Sequence, residues 1–444
     1  MHDLSTTIAA IATSNGEGGI AIVRISGDNA LCILKEIFVP FRAKARFEHA
    51  HMMYGFVRDG SGEDVDEVMA VWFRSPNSYT RQDVIEIHTH AGISADRVLK
   101  RAIELGAQPA EKGEFTYRAF MNGRLSLDRA EAVMSLISAA SEQAARASLR
   151  QLNGGVSTQI GSFKKKIEEL VTLIDAAADF PEEIDESVTC ARVRQEAAQI
   201  LKDLKKTADP SYAHLINDGA SVVIAGKPNV GKSSIMNRLL GTDRAIVTEI
   251  AGTTRDIINE SVTINGLKIT LSDTAGIRSA SQTKDQIELI GIDRAQKSID
   301  EADIVILVLD ASESLSEEDE KLLQKRDERF LIVANKDDRK TRTIPGAIPV
   351  SARTGEGIEM LKNRIYEMAS PGENDGKLMS LRHIELAKKA ENAIERMISL
   401  PEDTYLDLLR QDLTEALEYL GEITGENVSE SVIDSIFERF CVGK

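Results

Sequence analysis

The stretch SVVIAGKPNVGKS, residues 221–233, decides the fold of the central part of this chain. Its apolar or small residues at 222–225 predict a buried strand. The strand leads into Gly226, four further residues and then Gly231-Lys232-Ser233, which is the spacing of a phosphate-binding loop. In such a loop the glycines let backbone N–H groups face a polyphosphate, the lysine contacts the β- and γ-phosphates, and the serine hydroxyl binds Mg²⁺. The stretch therefore predicts a nucleoside triphosphate site.

Further segments follow this loop in the order that a GTPase requires. The polar segment IAGTTRD, residues 250–256, suits a switch that closes on the γ-phosphate. The residues on either side of Asn265-Gly266 alternate in polarity, which predicts a β-hairpin. Its second strand leads into DTAG, residues 273–276, where the aspartate can hold Mg²⁺ through water and the glycine N–H can sense the γ-phosphate.

The apolar runs IVILVL, residues 304–309, and FLIVA, residues 330–334, predict two more buried strands. The second run ends in NKDD, residues 335–338. There Asp338 can accept hydrogen bonds from the N1–H and the 2-amino group of guanine, which adenine cannot supply. SAR, residues 351–353, follows another short strand, as expected for the loop that meets the base oxygen. Together these segments predict a guanine-nucleotide-binding domain.

The residue after DTAG is Ile277, where small signalling GTPases carry a glutamine that orients water. An aliphatic side chain cannot orient water, so another group must do so or hydrolysis is very slow. Asp285 and Glu288 are candidates, and the alternative is that both are solvated charges on a helix.

Composition sets the outer bounds of the molecule. With 444 residues and 42% hydrophobic content, the chain can form two to four domains. Its net charge of −17 argues against broad coating of nucleic acid, so an RNA partner must bind a local basic patch or a composite surface. Cys32, Cys190 and Cys441 form no CxxC and cannot pair evenly, which fits a reducing cytoplasm. We expect no secretion signal and no membrane span.

The flanks of the nucleotide domain differ from one another. Residues 1–118 are predicted to be α+β, with strands near 7–12, 19–25, 69–73 and 84–90. The apolar period then becomes helical, with one stripe that runs from Leu127 to Gly154-Gly155, and helical stripes resume after residue 372. Because helices precede and follow a compact insert, we predict one helical domain split by that insert.

The predicted fold is therefore multidomain α/β plus α, with an inserted Ras-like, doubly wound P-loop domain. The predicted boundaries are 1–118 for the N-terminal domain, 119–216 for the first helical part, 217–371 for the nucleotide domain and 372–444 for the second helical part.

These segments resemble the MnmE (TrmE) family of tRNA modification GTPases. The nucleotide domain carries GKPNVGKSS, IVTEIAGTTRD, DTAGIR, NKDD and SARTGEG. The flanks carry GGIAIVRISG, PNSYTRQDVIEIHTHAG, KGEFTYRAFMNGRLSL, LISAASEQAARASLRQL, AADFPEE and the terminal FCVGK, which is similar to the family's FCIGK. The resemblance covers nearly the whole chain and implies an N-terminal folate-binding domain beside a helical domain interrupted by the G domain.

The resemblance also implies an activity. Members of the family hydrolyse GTP with the help of K⁺ and Mg²⁺ and form homodimers through the N-terminal domain. With an FAD-dependent partner subunit, MnmG, they add an aminomethyl or carboxymethylaminomethyl group to C5 of the wobble uridine of certain tRNAs. A folate of the 5-formyl-tetrahydrofolate type binds the N-terminal domain.

Site residues follow by matching positions. Mg²⁺ falls on Ser233 and Thr254, and the water-orienting catalytic acid falls on Glu288. K⁺ falls on Asn229, Thr248, Ile250 and Thr253. The folate site falls on Arg24, Glu86, Arg124 and Lys444. The residues expected around the nucleotide are Asn229, Val230, Gly231, Lys232, Ser233, Ser234, Thr248, Glu249, Ile250, Ala251, Gly252, Thr253, Thr254, Asp273, Thr274, Ala275, Gly276, Asn335, Lys336, Asp338, Ser351, Ala352 and Arg353.

Two departures and two alternatives accompany this interpretation. Arg81-Gln82 stands where the family commonly has Gly-Glu, and His90-Ala91-Gly92 stands where it usually has His-Gly-Gly, which puts the local loop shape in doubt. Cys441 can be a reactive or an ordinary buried thiol. One alternative function is a ribosome-assembly GTPase that acts as an rRNA-binding switch, but that class expects a basic appendage. The other is a folate-dependent one-carbon transferase with a regulatory GTPase inserted.

Overall fold

The computed structural model describes residues 3–14, 18–42, 46–241, 259–273, 297–324, 326–370, 376–401 and 404–444. The chain forms two compact units. The first comprises Met1–Met134, Gln151–Ile200 and Lys389–Lys444, and the second comprises Ser135–Arg150 and Leu201–Lys388.

The first unit is built on a mixed sheet that has seven strands within the described residues. These strands are β1 (Ile8–Ile11), β2 (Ala21–Ser26), β3 (Phe38–Pro40), β4 (Met52–Arg58), β5 (Asp64–Phe73), β6 (Val84–Thr89) and β7 (Gln108–Pro109). Their order is β3-β4-β5-β6-β2-β1-β7, with only β1 and β7 parallel. Strands occur at all four predicted places, and β3, β4 and β7 are three further strands that the sequence pattern did not indicate.

Helices pack on this sheet and continue through the chain. Those preceding the second sheet are α1 (Ala30–Ile37), α2 (Ile93–Glu104), α3 (Glu114–Met121), α4 (Leu127–Ile137), α5 (Glu142–Leu152), α6 (Gly155–Asp179), α7 (Glu186–Thr207) and α8 (Pro210–Asn217). Helices α1 and α2 bury Ile33, Leu34 and Val98 in one core with Val23 and Ile85 of the sheet.

The predicted helical stripe from Leu127 is interrupted, so the prediction of one continuous element was wrong. Helix α4 ends at Ile137 and α5 begins at Glu142. The hydroxyl of Ser141 accepts a hydrogen bond from the Ala144 N–H at 3.1 Å. A serine side chain that accepts a backbone N–H in this way caps the start of a new helix, so the preceding helix ends before it.

The second unit holds the nucleotide domain around a sheet of six described strands. They are β8 (Ala220–Ala225), β9 (Asn259–Ile264), β10 (Leu267–Asp273), β11 (Ile304–Asp310), β12 (Phe330–Asn335) and β13 (Ile348–Pro349), in the order β13-β12-β11-β8-β10-β9. All neighbours are parallel except β9 with β10, which form the predicted hairpin. Asn265 and Gly266 have φ angles of 49° and 79°, the positive values that a two-residue hairpin turn requires.

The remaining helices are α9 (Lys232–Leu240), α10 (Glu317–Gln324), α11 (Ile358–Ala369), α12 (Leu381–Ser399), α13 (Leu406–Thr424) and α14 (Glu430–Phe437). Helix α13 packs against α6, where Arg410 contacts Asp175 at 2.6 Å, and Glu426, which follows α13, contacts Lys164 of α6 at 2.5 Å. Helices from before and after the inserted domain therefore lie together, as the predicted fold class requires. None of the described helices is long and apolar enough to cross a lipid bilayer.

Candidate functional site

The phosphate loop connects β8 to α9. Helix α9 begins at Lys232, and the residue before it, Gly231, has a φ angle of 95°. A Cβ atom at Gly231 would lie 2.3 Å from Nδ2 of Asn335, so a larger residue cannot occupy this position without displacing that amide. Helix α9 therefore begins directly at the loop, and a helix start of this kind favours anions.

The loop lysine is held by the loop itself. Lys232 is 7% exposed, and its Nζ donates to the carbonyl oxygens of Gly226 at 2.9 Å and Lys227 at 2.8 Å. The neighbouring Ser233 and Ser234 are exposed on the first turn of α9. The ammonium group is consequently positioned beside the helix start, where a phosphate would sit.

Asn335 joins the phosphate loop to the base-recognition segment. This side chain is 2% exposed. Its Nδ2 donates to the Val230 carbonyl at 2.7 Å, and its Oδ1 accepts from the Ala352 N–H at 3.1 Å. The side chain of Val230 is itself buried in the core of the domain, so Val230 serves the site through its backbone.

Lys336 adopts a left-handed backbone conformation, with a φ angle of 65°, and pairs with Asp310 at the end of β11. Its Nζ lies 2.5 Å from the Asp310 carboxylate. Burial acts to raise the pKa of Asp310, but hydrogen bonds from Lys336 and Ser312 outweigh burial and hold this pKa below its usual range. The ion pair fixes the long stem of Lys336 beside the loop.

Asp338 is the residue predicted to read the base. The Ser351 hydroxyl donates to its Oδ1 at 2.8 Å, while the Nε atoms of Arg353 and Arg339 lie 3.6 and 3.8 Å from its Oδ2. The hydrogen bond from Ser351, assisted by the charges of both arginines, lowers the pKa of the Asp338 carboxyl. An ionised carboxylate only accepts hydrogen bonds, which suits the two adjacent donors of guanine.

A cavity of about 380 Å³ connects these groups. It is lined by Asn229, Gly231, Ser234, Asn335, Lys336, Asp338, Arg339, Ala352 and Arg353. Residues of the phosphate loop and residues predicted to read the base therefore border one space. A larger hollow of about 930 Å³ lies beside Phe330, Ile348 and Met360 and contains none of the predicted site residues.

Other predicted residues of the nucleotide site lie outside the described part of the chain. Asp273 ends β10 beside Ile224 of β8, which places it next to the strand that leads into the phosphate loop. The predicted residues outside the description are Thr248, Glu249, Ile250, Ala251, Gly252, Thr253, Thr254, Thr274, Ala275, Gly276 and Glu288.

A second cluster lies in the first unit and contains the residues assigned to folate. Arg24 of β2 and Glu86 of β6 are direct cross-strand neighbours. The Nε and Nη2 atoms of Arg24 lie 2.9 and 2.8 Å from Oε1 of Glu86, and Nη1 donates to the Gly443 carbonyl at 3.0 Å. The C-terminal segment that carries Lys444 thus reaches the same strands. One Glu86 oxygen is engaged by Arg24, and Oε2 lies 3.9 Å from Nε2 of His88.

Tyr79 links this pair to Arg124 and was missed by the sequence analysis. The guanidinium carbon of Arg124 lies 4.6 Å from the Tyr79 ring centroid, and that of Arg24 lies 5.6 Å from it. The Tyr79 hydroxyl is 2.9 Å from Oγ1 of Thr116. The only sequence signal was the position of this tyrosine within the PNSYTRQDV block.

The loop that departs from the family pattern is well bonded. Arg81 has a φ angle of 60°, a conformation that favours glycine, and its Nη1 donates to the Asn122 carbonyl at 3.0 Å. The neighbouring Gln82 accepts from Arg118 at 3.1 Å and donates to the Leu4 carbonyl at 2.8 Å. Both unusual residues therefore form side-chain hydrogen bonds to neighbouring segments of the chain.

Family models and full-length relatives match nearly the whole chain. A model of the GTP-binding protein TrmE N-terminus matches residues 7–124, and a model of the MnmE helical domain matches residues 127–441. A "tRNA modification GTPase MnmE" from Clostridioides difficile is 40% identical, covering 99% of this chain and 100% of the relative. The protein of that name from Thermotoga maritima is also 40% identical, with the same coverage.

Among solved structures, Era of Aquifex aeolicus bound to GDP·AlF4⁻ is 27% identical, covers 42% of this chain and 69% of its own, and has a TM-score of 0.28. The G domain of the FeoB iron transporter of T. maritima is 27% identical, with 34% and 99% coverage and a TM-score of 0.26. The family models and the full-length relatives show that this chain, a GTP hydrolase of the P-loop type, belongs to the MnmE family of tRNA modification GTPases.

Proposed function

We propose that this chain is a K⁺-stimulated GTPase that, with an FAD-dependent MnmG-type subunit, modifies C5 of the wobble uridine of certain tRNAs. The added group would be aminomethyl or carboxymethylaminomethyl. The observation that carries the proposal is the cavity bordered by both the phosphate loop and Asp338. Asn335, which also lines this cavity, donates to the Val230 carbonyl on one side and accepts from the Ala352 N–H on the other. The likeness over 99% of the chain to relatives named tRNA modification GTPases supports the choice of substrate.

Two cations belong to the proposed reaction. Ser233 is exposed on the first turn of α9, and its hydroxyl offers the oxygen that Mg²⁺ prefers, with Thr254 as the second proposed ligand. Asn229 lines the cavity and can offer an amide oxygen to K⁺, together with Thr248, Ile250 and Thr253. When bound, such cations offset negative charge on the phosphates. Glu288 would hold the attacking water, because Ile277 cannot.

The folate site is proposed at the cluster around Tyr79. Arg124 and Arg24 lie at its ring, and their positive charges suit the glutamate tail of a folate. Because one oxygen of Glu86 is bound by Arg24, the other is the proposed acceptor for an N–H group on the pterin edge. Lys444 would complete the site beside Gly443. A 5-formyl-tetrahydrofolate-type ligand held here would supply the one-carbon unit.

The remaining parts of the proposal concern assembly. We propose a cytoplasmic homodimer formed through the N-terminal domain, joined by the MnmG-type subunit. Closing of the two G domains on GTP and their opening after hydrolysis would gate the modification of tRNA.

Two experiments test this proposal. GTP turnover should fall strongly when K⁺ is replaced by Na⁺ at constant ionic strength, and Glu288→Ala should lose turnover while nucleotide affinity is kept. The matched control is Glu313→Ala, which removes an exposed acid of the same domain. Equal turnover in both salts would contradict the K⁺ assignment, and normal turnover of Glu288→Ala would contradict its role.

The tRNA activity needs its own readout. Purified chain, MnmG-type partner, GTP, K⁺ and folate should convert wobble uridine in unmodified tRNA, as measured by mass spectrometry of nucleosides. Modification that proceeds without the partner subunit would favour an autonomous folate-dependent transferase. Failure to modify tRNA, together with GTP turnover stimulated by ribosomal RNA, would favour the ribosome-assembly alternative.

A further inference from the structure

A lysine in the phosphate loop forms an ion pair that the reaction described above does not use. Lys227 follows Gly226, and its Nζ lies 2.6 Å from Oδ2 of Asp319 in α10. The side chains are 22% and 9% exposed, so the pair is largely shielded from water and from salt. Lys227 does not line the nucleotide cavity.

The oxygen of Asp319 that pairs with Lys227 is also bound by the residue that precedes α10. Ser316 precedes α10, and its backbone N–H and hydroxyl donate to Oδ2 of Asp319 at 3.0 and 3.2 Å. The Asp319 N–H returns a bond to the Ser316 hydroxyl at 3.4 Å. This reciprocal arrangement is a capping box with an aspartate at its third helical position. The start of α10 therefore fixes the position of Asp319 independently of its contact with Lys227.

The ion pair with Asp319 acts on Lys227, whose carbonyl oxygen also accepts a hydrogen bond from Lys232. Nζ of Lys232 donates to the carbonyls of Gly226 and Lys227, while the side chain of Lys227 is drawn to Asp319. The second half of the loop is held separately, since Asn335 binds the Val230 carbonyl. Two anchors, Asp319 in the first turn of α10 and Asn335 at the end of β12, thus hold the two halves of one loop.

We propose that Asp319 is a positioning residue for the phosphate loop, which it holds through Lys227 in the geometry that presents Lys232 and the loop N–H groups to the nucleotide. Asp319 acts through another residue and contacts no reacting atom. Removing the pair should therefore weaken nucleotide binding, because part of the binding free energy must then be spent on ordering the loop. The rate of hydrolysis at saturating GTP should change little.

The test uses Asp319→Asn, Lys227→Met and the double variant of the full-length protein. The asparagine keeps an oxygen acceptor for the Ser316 N–H, so the cap of α10 is retained while the charge is lost. We expect the Kd for fluorescent GDP and the KM for GTP to rise about tenfold in each single variant, or about 1.4 kcal/mol. The kcat at saturation should stay within about twofold, and the double variant should bind no more weakly than either single one.

Two matched variants sharpen this test. Glu320→Gln removes an exposed acid next to Asp319 and should bind GDP normally. Lys227→Arg keeps the positive charge and should recover most of the affinity lost in Lys227→Met. Wild-type Kd values in both single variants would overturn the proposal, and so would losses that add fully in the double variant. A lowered melting temperature with unchanged Kd would assign the pair to stability alone and would also overturn it.

Discussion

Substitution of Asn335 by alanine tests the connection between the phosphate loop and the base-recognition segment. The side chain is 2% exposed and makes one hydrogen bond to the Val230 carbonyl and one from the Ala352 N–H. The methyl group of alanine cannot replace either bond. The variant therefore leaves two backbone groups without their partner at the centre of the nucleotide site.

The magnitude follows from the two bonds. Each buried hydrogen bond contributes about 1–1.5 kcal/mol net, so losing both costs about 2–3 kcal/mol. If nucleotide binding needs the segments around Val230 and Ala352 to be aligned, the lost free energy appears as a weaker affinity for nucleotide. Since 1.4 kcal/mol corresponds to a factor of ten, we expect GDP to bind roughly 30- to 150-fold more weakly.

The assay is a titration of fluorescent GDP, accompanied by amide hydrogen exchange of a peptide that contains Ala352. Exchange at the Ala352 N–H should accelerate because its acceptor is gone. Asn237→Ala, which removes an exposed asparagine from α9, serves as the control and should leave both readouts unchanged. A loss of affinity below threefold, with normal exchange at Ala352, would refute the role assigned to Asn335.

Three further predictions follow from other contacts. The hydrogen bond from Ser351 lowers the pKa of Asp338, so the contribution of Asp338 to GDP affinity should be lost only as the pH falls below the ordinary carboxyl range of about 4. Ser351→Ala should shift this loss to higher pH, measured as the ratio of variant to wild-type affinity at each pH, because that ratio cancels the titration of the GDP phosphate near about pH 6. Arg24→Ala removes the ion-pair partner of Glu86, which is 18% exposed, and should lower the free energy of unfolding by about 3–5 kcal/mol. Arg58→Ala, at an exposed ion pair, should lower it by less than about 1 kcal/mol. Urea titrations followed by the fluorescence of the single tryptophan, Trp72, measure both losses, and equal losses would contradict the prediction. Phe437→Ala removes a ring that is 1% exposed and whose centroid lies 5.4 Å from that of Tyr117 and 5.2 Å from that of Phe440. The free energy of unfolding, measured by the same titration, should fall by about 3–5 kcal/mol. A loss below about 1 kcal/mol would show that this aromatic cluster does not hold the C-terminal helix.

The nucleotide domain was predictable because its signals are local. The strand before Gly226 and the hairpin at Asn265-Gly266 are specified by residues that are neighbours along the chain. The bond between Ser351 and Asp338 joins two motifs only 13 positions apart, each at the end of a strand. Parallel strands bring such ends to one edge of a sheet, so spacing alone indicated where these groups would meet.

The features that were missed depend on distant contacts or on exposed apolar residues. Strand β4 carries Met52 and Tyr54 on its exposed face, so its polarity does not alternate as a half-buried strand predicts. The bond from Asn335 to Val230 spans 105 positions, and the sequence pattern predicted only that Asn335 supports the base. The role of Tyr79 depends on two arginines from different elements, which no periodicity can bring together.

The bond between Arg24 and the Gly443 carbonyl has a consequence for biosynthesis, since its partners are 419 positions apart. The strand that carries Arg24 leaves the ribosome early, and domains near the N-terminus generally fold first. The bond to Gly443, however, cannot form until translation has passed residue 443. A translation product that stops before residue 443 would thus fold its first sheet and still lack this bond, so the N-terminal segment alone cannot complete the folate site proposed here.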